Sequence, residues 1–224
     1  MGKLINRPLL LLMLVLGMDH LIAQDVPVVF PQVGQEFDFS EELQADEEKE
    51  DVWDIVGIGC SWYCGGGPDN VSASSSLNGQ EPGAYAAGNA HDLSYQTAWA
   101  EGAAGQGIGE YLEYNFSGES PRITKIIVVN GYVKNPSVWQ ANSRVKKLKV
   151  YYKDKPVAIL MLEDVRAEQS FEVTPLGTSD RKDFTKMTLL PHWQLKFEIL
   201  EVYPGDKYQD TVISEIYFDG LDVH

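Results

Sequence analysis

From residue 55 onward the chain is cut into short alternating runs separated by turn residues, and no segment keeps a helical period for three turns. Val145 to Tyr152 places Leu148, Val150 and Tyr152 on one face and Lys147 and Lys149 on the other, the period of two expected of a half-buried strand. Trp193 to Val202 sets Leu195, Phe197 and Ile199 against Lys196, Glu198 and Leu200 in the same way. Ile123 to Val129 is almost continuously apolar, which fits a strand covered on both faces. Glu110 to Phe116, Val157 to Leu162 and Thr211 to Phe218 read as further strands. The pattern predicts an all-β, antiparallel jelly-roll β-sandwich of about eight strands over residues 55–224.

What precedes it differs in texture. Residues 1–23 read as a secretory signal peptide: Lys3 and Arg7 supply positive charge, Leu9 to Met18 is apolar, and Leu21-Ile22-Ala23 offers a cleavage site before Gln24. The apolar run is half the ~20 residues that span a bilayer, so a secreted or periplasmic location in the cell envelope is expected. Residues 24–54 form an acidic leader. Between Glu36 and Asp54 ten acidic residues face only Lys49, and this run carries over half of the chain's net charge of −15. Such a stretch repels itself and is expected to be flexible, although Val28, Val29, Phe30, Phe37 and Phe39 would also suit an edge strand or short helix. The charge sets nucleic acid aside as a partner.

The two cysteines stand four apart in Cys60-Ser61-Trp62-Tyr63-Cys64. In an oxidising compartment they suit a small-loop disulfide, with two buried thiols as the alternative. Zinc is not expected, since the four histidines lie elsewhere.

Enzyme signatures are missing: there is no Walker-type phosphate loop, no H-E-x-x-H and no G-x-S-x-G elbow. Gly105-Gln-Gly107-Ile-Gly109 precedes a strand instead of opening a helix, so it reads as a turn. Nothing in the spacing selects a glycosidase carboxylate pair.

Two loops carry more. In Ala90 to Trp99, Asp92 and Thr97 sit five apart in a polar loop; they either hold a hard cation or tie the turn by local hydrogen bonds. The stretch from Asn130 through Tyr132, Trp139 and Asn142 to Arg144 mixes aromatic rings with planar hydrogen-bonding groups, the combination that binds sugars. Trp139 suits either ligand contact or core packing, and Arg144 either a sugar or a bracing carboxylate.

Asp92-x4-Thr97-Ala-Trp99 resembles the D-G-x-x-x-T-x-W signature of discoidin domains, the coagulation-factor type C or galactose-binding-like fold. With Glu101-Gly, Gly107-Ile-Gly109-Glu110, Asn130-Gly131-Tyr132 and Asn142-Ser-Arg144-Val-Lys146, residues 56–220 resemble the glycan-binding translocation-type domain of NAD glycohydrolases. The resemblance implies an eight-stranded jelly roll that binds carbohydrate through loops at one end. It also implies a structural calcium ion held by Asp92, Thr97 and Glu215. Leu93 stands where the signature has glycine, which puts the cation-loop turn in question. The terminal cysteine pair of many discoidin domains is absent, and NAD cleavage is not implied.

The resulting expectation is an exported, non-enzymatic carbohydrate-binding module. Tyr132, Trp139, Asn142 and Arg144 lead the sugar-contact candidates, with Glu101, Trp62 and Tyr63 on neighbouring loops and Trp99 packed beneath. A protein–protein module of an envelope complex is the competing expectation, and a glycoside hydrolase a third.

Overall fold

The computed structural model describes residues 25–37, 61–178 and 183–222, with the side chain of Phe184 left aside. The body is the expected β-sandwich, and the described residues contain eleven strands. From the amino end these are β1 (Val28–Val29), β2 (Gln32–Glu36), β3 (Pro68–Ala73), β4 (Trp99–Ala100), β5 (Tyr111–Phe116) and β6 (Ile123–Asn130). They continue as β7 (Ser143–Tyr152), β8 (Lys155–Met161), β9 (Ala167–Leu176), β10 (Trp193–Tyr203) and β11 (Thr211–Gly220). Two short helices interrupt them, α1 (Pro136–Ala141) and α2 (Phe184–Met187).

The strand path runs β2-β9-β6-β11-β7-β10-β5-β3, antiparallel except where the start of β11 lies parallel to the start of β7 through Thr211–Ser143 and Val212–Arg144. Alternation explains the core. Leu112, Tyr114 and Phe116 of β5, Leu148 and Val150 of β7, and Leu195, Phe197 and Ile199 of β10 meet Ile126, Val128, Phe171, Ile216 and Phe218 from the other layer. Lys147 and Lys149 stay half-exposed on the outer face, as their period predicts. Strand β6 is covered on both sides: Ile126 and Val128 enter the main core, while Ile127 and Val129 pack with Val133 and Tyr217 in a second cluster.

Two expectations change. The stretch read as a flexible leader supplies two strands: β1 pairs parallel with β8, and β2 pairs antiparallel with β9. Val29 packs against the core, but β2 is exposed along its length, so its attachment is mainly through main-chain pairing. Residues 38–54 and the signal-like residues 1–23 lie outside the described residues. The strand count also exceeds eight, because β3 and β9 lack a clean apolar alternation and β4 is only two residues long. Cys60 lies outside the described residues; the Cys64 thiol is exposed on a 3₁₀ turn, Trp62–Cys64. Among the described residues no helix is long and apolar enough to cross a membrane.

Candidate functional site

Helix α1 organises the loops at one end. Asn135 caps it, its side chain accepting from the Val138 amide at 2.9 Å, and Pro136 occupies the first turn, where its missing N–H costs nothing. At the other end Asn142 donates to the Val138 carbonyl at 2.8 Å. Arg144 donates through Nη1 to the carbonyls of Asn142 at 2.8 Å and Trp139 at 3.3 Å, so a guanidinium closes the helix C-terminus. The β10–β11 loop then clamps onto the same helix end: Asp206 donates to Gln140, and Lys207 and Tyr208 donate to Ala141, through their amides.

Between α1, this loop and the Leu77–Tyr85 segment lies an open hollow of about 420 Å³. One wall is apolar and aromatic, with Leu77, Tyr85 and Tyr132 packed on a small cluster of Ala98, Ala100 and Val212. Val138, Ala141 and Asn142 of the helix form the second wall, and Tyr208 with Asp210 the third. Lys134 and Asn135 complete the rim. The Tyr132 hydroxyl donates to the Gln96 carbonyl at 2.8 Å, and its ring meets Tyr85 edge-on at 6.4 Å. Burial is the main reason its phenol titrates above the ordinary range, with Tyr85 and Asp92 adding to the shift.

Of the expected sugar contacts, the structure brings Tyr132 and Asn142 together in this hollow. The others do not line it. Trp139 is half-buried against the second cluster, donates its indole N–H to the Asn130 carbonyl at 2.9 Å, and carries the Arg144 guanidinium 4.4 Å over its ring. Gly131 accommodates this crowding: a Cβ there would lie 2.7 Å from Arg144 Cγ and 2.8 Å from the Trp139 ring. Arg144 is buried and grips Asp164, so the bracing alternative holds for it. Glu101 is fully buried and accepts from the Ala103 and Thr211 amides at 2.8 and 3.2 Å; desolvation raises its pKa, with Asp210 and Glu110 adding to it. It ties down the segment that carries Asp210 and does not line the hollow. Trp62 is buried in the main core. Tyr63 accepts from the Phe218 amide through its hydroxyl at 3.0 Å. Both border a separate hollow on the outer face of the β9-β6-β11 layer.

Trp99 packs under the loops as expected, fully buried, with its indole N–H on the Ser75 carbonyl at 2.9 Å. The hollow also contains residues the sequence reading passed over, chiefly Tyr85, Tyr208 and Asp210. Tyr208 and Asp210 follow Pro204-Gly205 between two strong strands, a turn signal that marks an end loop but not which end.

The expected cation residues also converge. Asp92 accepts the Ser94 amide at 3.1 Å on one oxygen and the Thr97 hydroxyl at 2.7 Å on the other. Glu215, buried on β11, accepts the same Ser94 amide at 3.0 Å, while its second oxygen is buried without a hydrogen-bond partner. Burial, then the neighbouring Asp92 carboxyl, pushes the Glu215 pKa up to about 10. Leu93 adopts φ +58°, so the turn that glycine usually makes is formed by leucine, at roughly 1 kcal/mol of backbone cost. Its side chain packs on the second cluster, which offsets that cost.

No curated protein matches the chain. Among solved structures, the paired CBM32-1 and CBM32-2 domains of Clostridium perfringens ZmpB, in complex with GalNAc, superpose with a TM-score of 0.52 at 10% identity, over 88% of this chain and 41% of that one. The same protein with its M60 catalytic domain gives 0.51 at 11% identity, over 90% of this chain and 17% of that one. This chain thus spans less than half the length of either, and at such identity the likeness is one of fold, a galactose-binding-like β-sandwich. The family model described as NAD glycohydrolase translocation F5/8 type C domain matches residues 62–219, which cover β3 to nearly the end of β11 and every wall of the hollow. This chain belongs to that family.

Proposed function

We propose that this protein is an exported, non-catalytic glycan-binding module that takes its ligand in the hollow between α1, the β10–β11 loop and the Tyr85–Tyr132 wall. One observation carries the reading: tyrosine rings and uncommitted polar groups from separate loops line one open concavity. Sugar rings stack their C–H faces on aromatics while their hydroxyls need fixed donors and acceptors. Asp210 supplies an acceptor, Lys134 a donor, and Asn135, whose oxygen is committed to Val138, keeps its amino group free to donate.

The binding role is favoured over hydrolysis because Asp210 is the single carboxylate among the described residues that line the hollow, and most glycoside hydrolases use a pair. Family membership and the shared fold with structures of carbohydrate-binding domains support the same reading. Export is supported by the signal-like residues 1–23.

Calcium belongs to this reading as a brace. The Asp92 and Glu215 carboxyls both accept from the Ser94 amide, and the second Glu215 oxygen is buried without a hydrogen-bond partner. A hard cation would satisfy that oxygen, with Asp92, Glu215 and Thr97 as its side-chain ligands, and would tie the 92–97 loop to β11. The loop's Gln96 carbonyl holds Tyr132, so bracing it steadies one wall of the hollow.

A glycan array probed with the purified domain, followed by calorimetry on the hits with wild type and Tyr132→Ala, tests the proposal. Binding that Tyr132→Ala weakens at least tenfold is expected. An array without hits in the presence of calcium removes the reading.

A further inference from the structure

The hollow has two aromatic platforms, not one. Tyr85 and Tyr132 form a single unit, their rings edge-to-face on the Ala98, Ala100 and Val212 cluster. Tyr208 lines the hollow from the opposite loop and makes no ring contact with either among the described residues. It is 44% exposed, the most open of the three, and Lys207 lies 4.8 Å over one face of its ring. A cation on one face leaves the other as the stacking surface. The platform is also fixed in place: the Tyr208 amide donates to the Ala141 carbonyl at 2.8 Å, and its own carbonyl accepts from Ser143 Oγ at 3.3 Å.

A ligand stacked only on Tyr132 would leave Tyr208 and its wall hydrated.

We infer that the hollow takes two linked sugar residues, one against the Tyr85–Tyr132 unit and the next against Tyr208, so that the ligand class is a disaccharide or the end of a longer glycan. This rests on the proposed glycan-binding role. Tyr208 acts as the platform of the second residue, and the Tyr85–Tyr132 unit as that of the first.

Calorimetry with galactose, N-acetylgalactosamine, and di- and trisaccharides ending in each tests the inference, with the array supplying other series if neither sugar binds. The disaccharide is expected to bind about tenfold tighter than its terminal monosaccharide, the scale of one aromatic stacking contact, with less than a twofold gain from a third residue. Tyr208→Ala is expected to bring the ratio of disaccharide to monosaccharide affinity down to about one, while Tyr208→Phe, which keeps the ring, retains the ratio. Equal affinity for mono- and disaccharide, or a Tyr208→Ala loss that is the same for both, overturns the two-residue site while leaving glycan binding intact. Absence of binding by any saccharide overturns the proposed function itself.

Discussion

Arg144 holds Asp164 with both arms of its guanidinium, Nε to Oδ1 at 2.7 Å and Nη2 to Oδ2 at 3.0 Å, while its remaining nitrogen closes the carbonyl end of α1. One buried side chain thus joins the β8–β9 connection to the helix that walls the hollow. Bidentate, charge-assisted pairs are among the stronger polar contacts, and removing one partner strands the other. Arg144→Ala is expected to destabilise the domain by about 2–4 kcal/mol, Asp164→Asn by about 1 kcal/mol, because Asp164 is partly solvated and the amide can still accept. Arg144→Lys recovers little, since an ammonium cannot reproduce the fork. Urea unfolding of the three variants checks this; equal stabilities for Arg144→Ala and wild type would dissolve the bracing role.

Trp139 and Tyr132 are seven residues apart, yet their expected phenotypes separate. Trp139→Phe keeps ring volume near the second cluster but loses the N–H bond to the Asn130 carbonyl, a cost of about 1 kcal/mol. Sugar affinity should stay within twofold of wild type, because the ring does not line the hollow. Tyr132→Ala should do the reverse in emphasis, lowering affinity tenfold or more. Paired calorimetry and thermal melts discriminate the two, and a Trp139→Phe variant that folds normally yet fails to bind would return Trp139 to the site.

Legibility followed the range of the interactions involved. Strands β6, β7 and β10 announce themselves because each buries one side chain in two, or all of them, against neighbours that need not be known. Strand β9 does not, because Gln169 occupies a fully buried position and satisfies its amide on the Glu163 backbone, which no periodicity reveals. The edge strand β1 was legible only as a choice, since Val28 and Val29 suit a strand but their β8 partner lies about 130 residues on. The candidate site behaves alike. Tyr132 and Asn142 share a local segment and were found together. Tyr85, Tyr208 and Asp210 come from distant loops that β11 brings together, since it pairs with β4 and, at its start, with β7. For Arg144 and Trp139 the sequence leaves the direction open, since facing core or solvent depends on tertiary packing.

Gly205 sits where the β10–β11 loop crosses the end of α1. A Cβ at this position would lie 2.4 Å from the Asn142 carbonyl carbon, 2.6 Å from the Ala141 carbonyl oxygen and 2.7 Å from the Ser143 nitrogen. All three are backbone atoms, so no rotamer change relieves the clash, and the loop must lift. Gly205→Ala is expected to cost about 1–3 kcal/mol and to displace Tyr208 and Asp210 from their wall. Disaccharide affinity should fall about tenfold with monosaccharide affinity less affected. A variant that melts like wild type and binds like it would mean that the loop is not held as described.

Glu215 makes stability depend on pH and on calcium together. Its pKa is about 10 in the fold against an ordinary 4.5, chiefly through burial and then through Asp92. Between those values the folded chain keeps a proton that the unfolded chain has released, so the native state binds more protons and stability falls as pH rises. The contribution is complete below about pH 4.5 and is lost progressively toward pH 10, at a slope of at most about 1.4 kcal/mol per pH unit. A divalent cation seated between Asp92 and Glu215 takes the proton's place, so saturating calcium should flatten the slope and raise the melting temperature most at high pH. Glu215→Gln should flatten it too, and calcium should then do little. Melts from about pH 5 to 9, in chelator and in calcium, give all four curves. If the chelated wild type is equally stable across that range, the buried Glu215 carboxyl is not carrying its proton in the fold, and the coupling of pH to calcium falls with it.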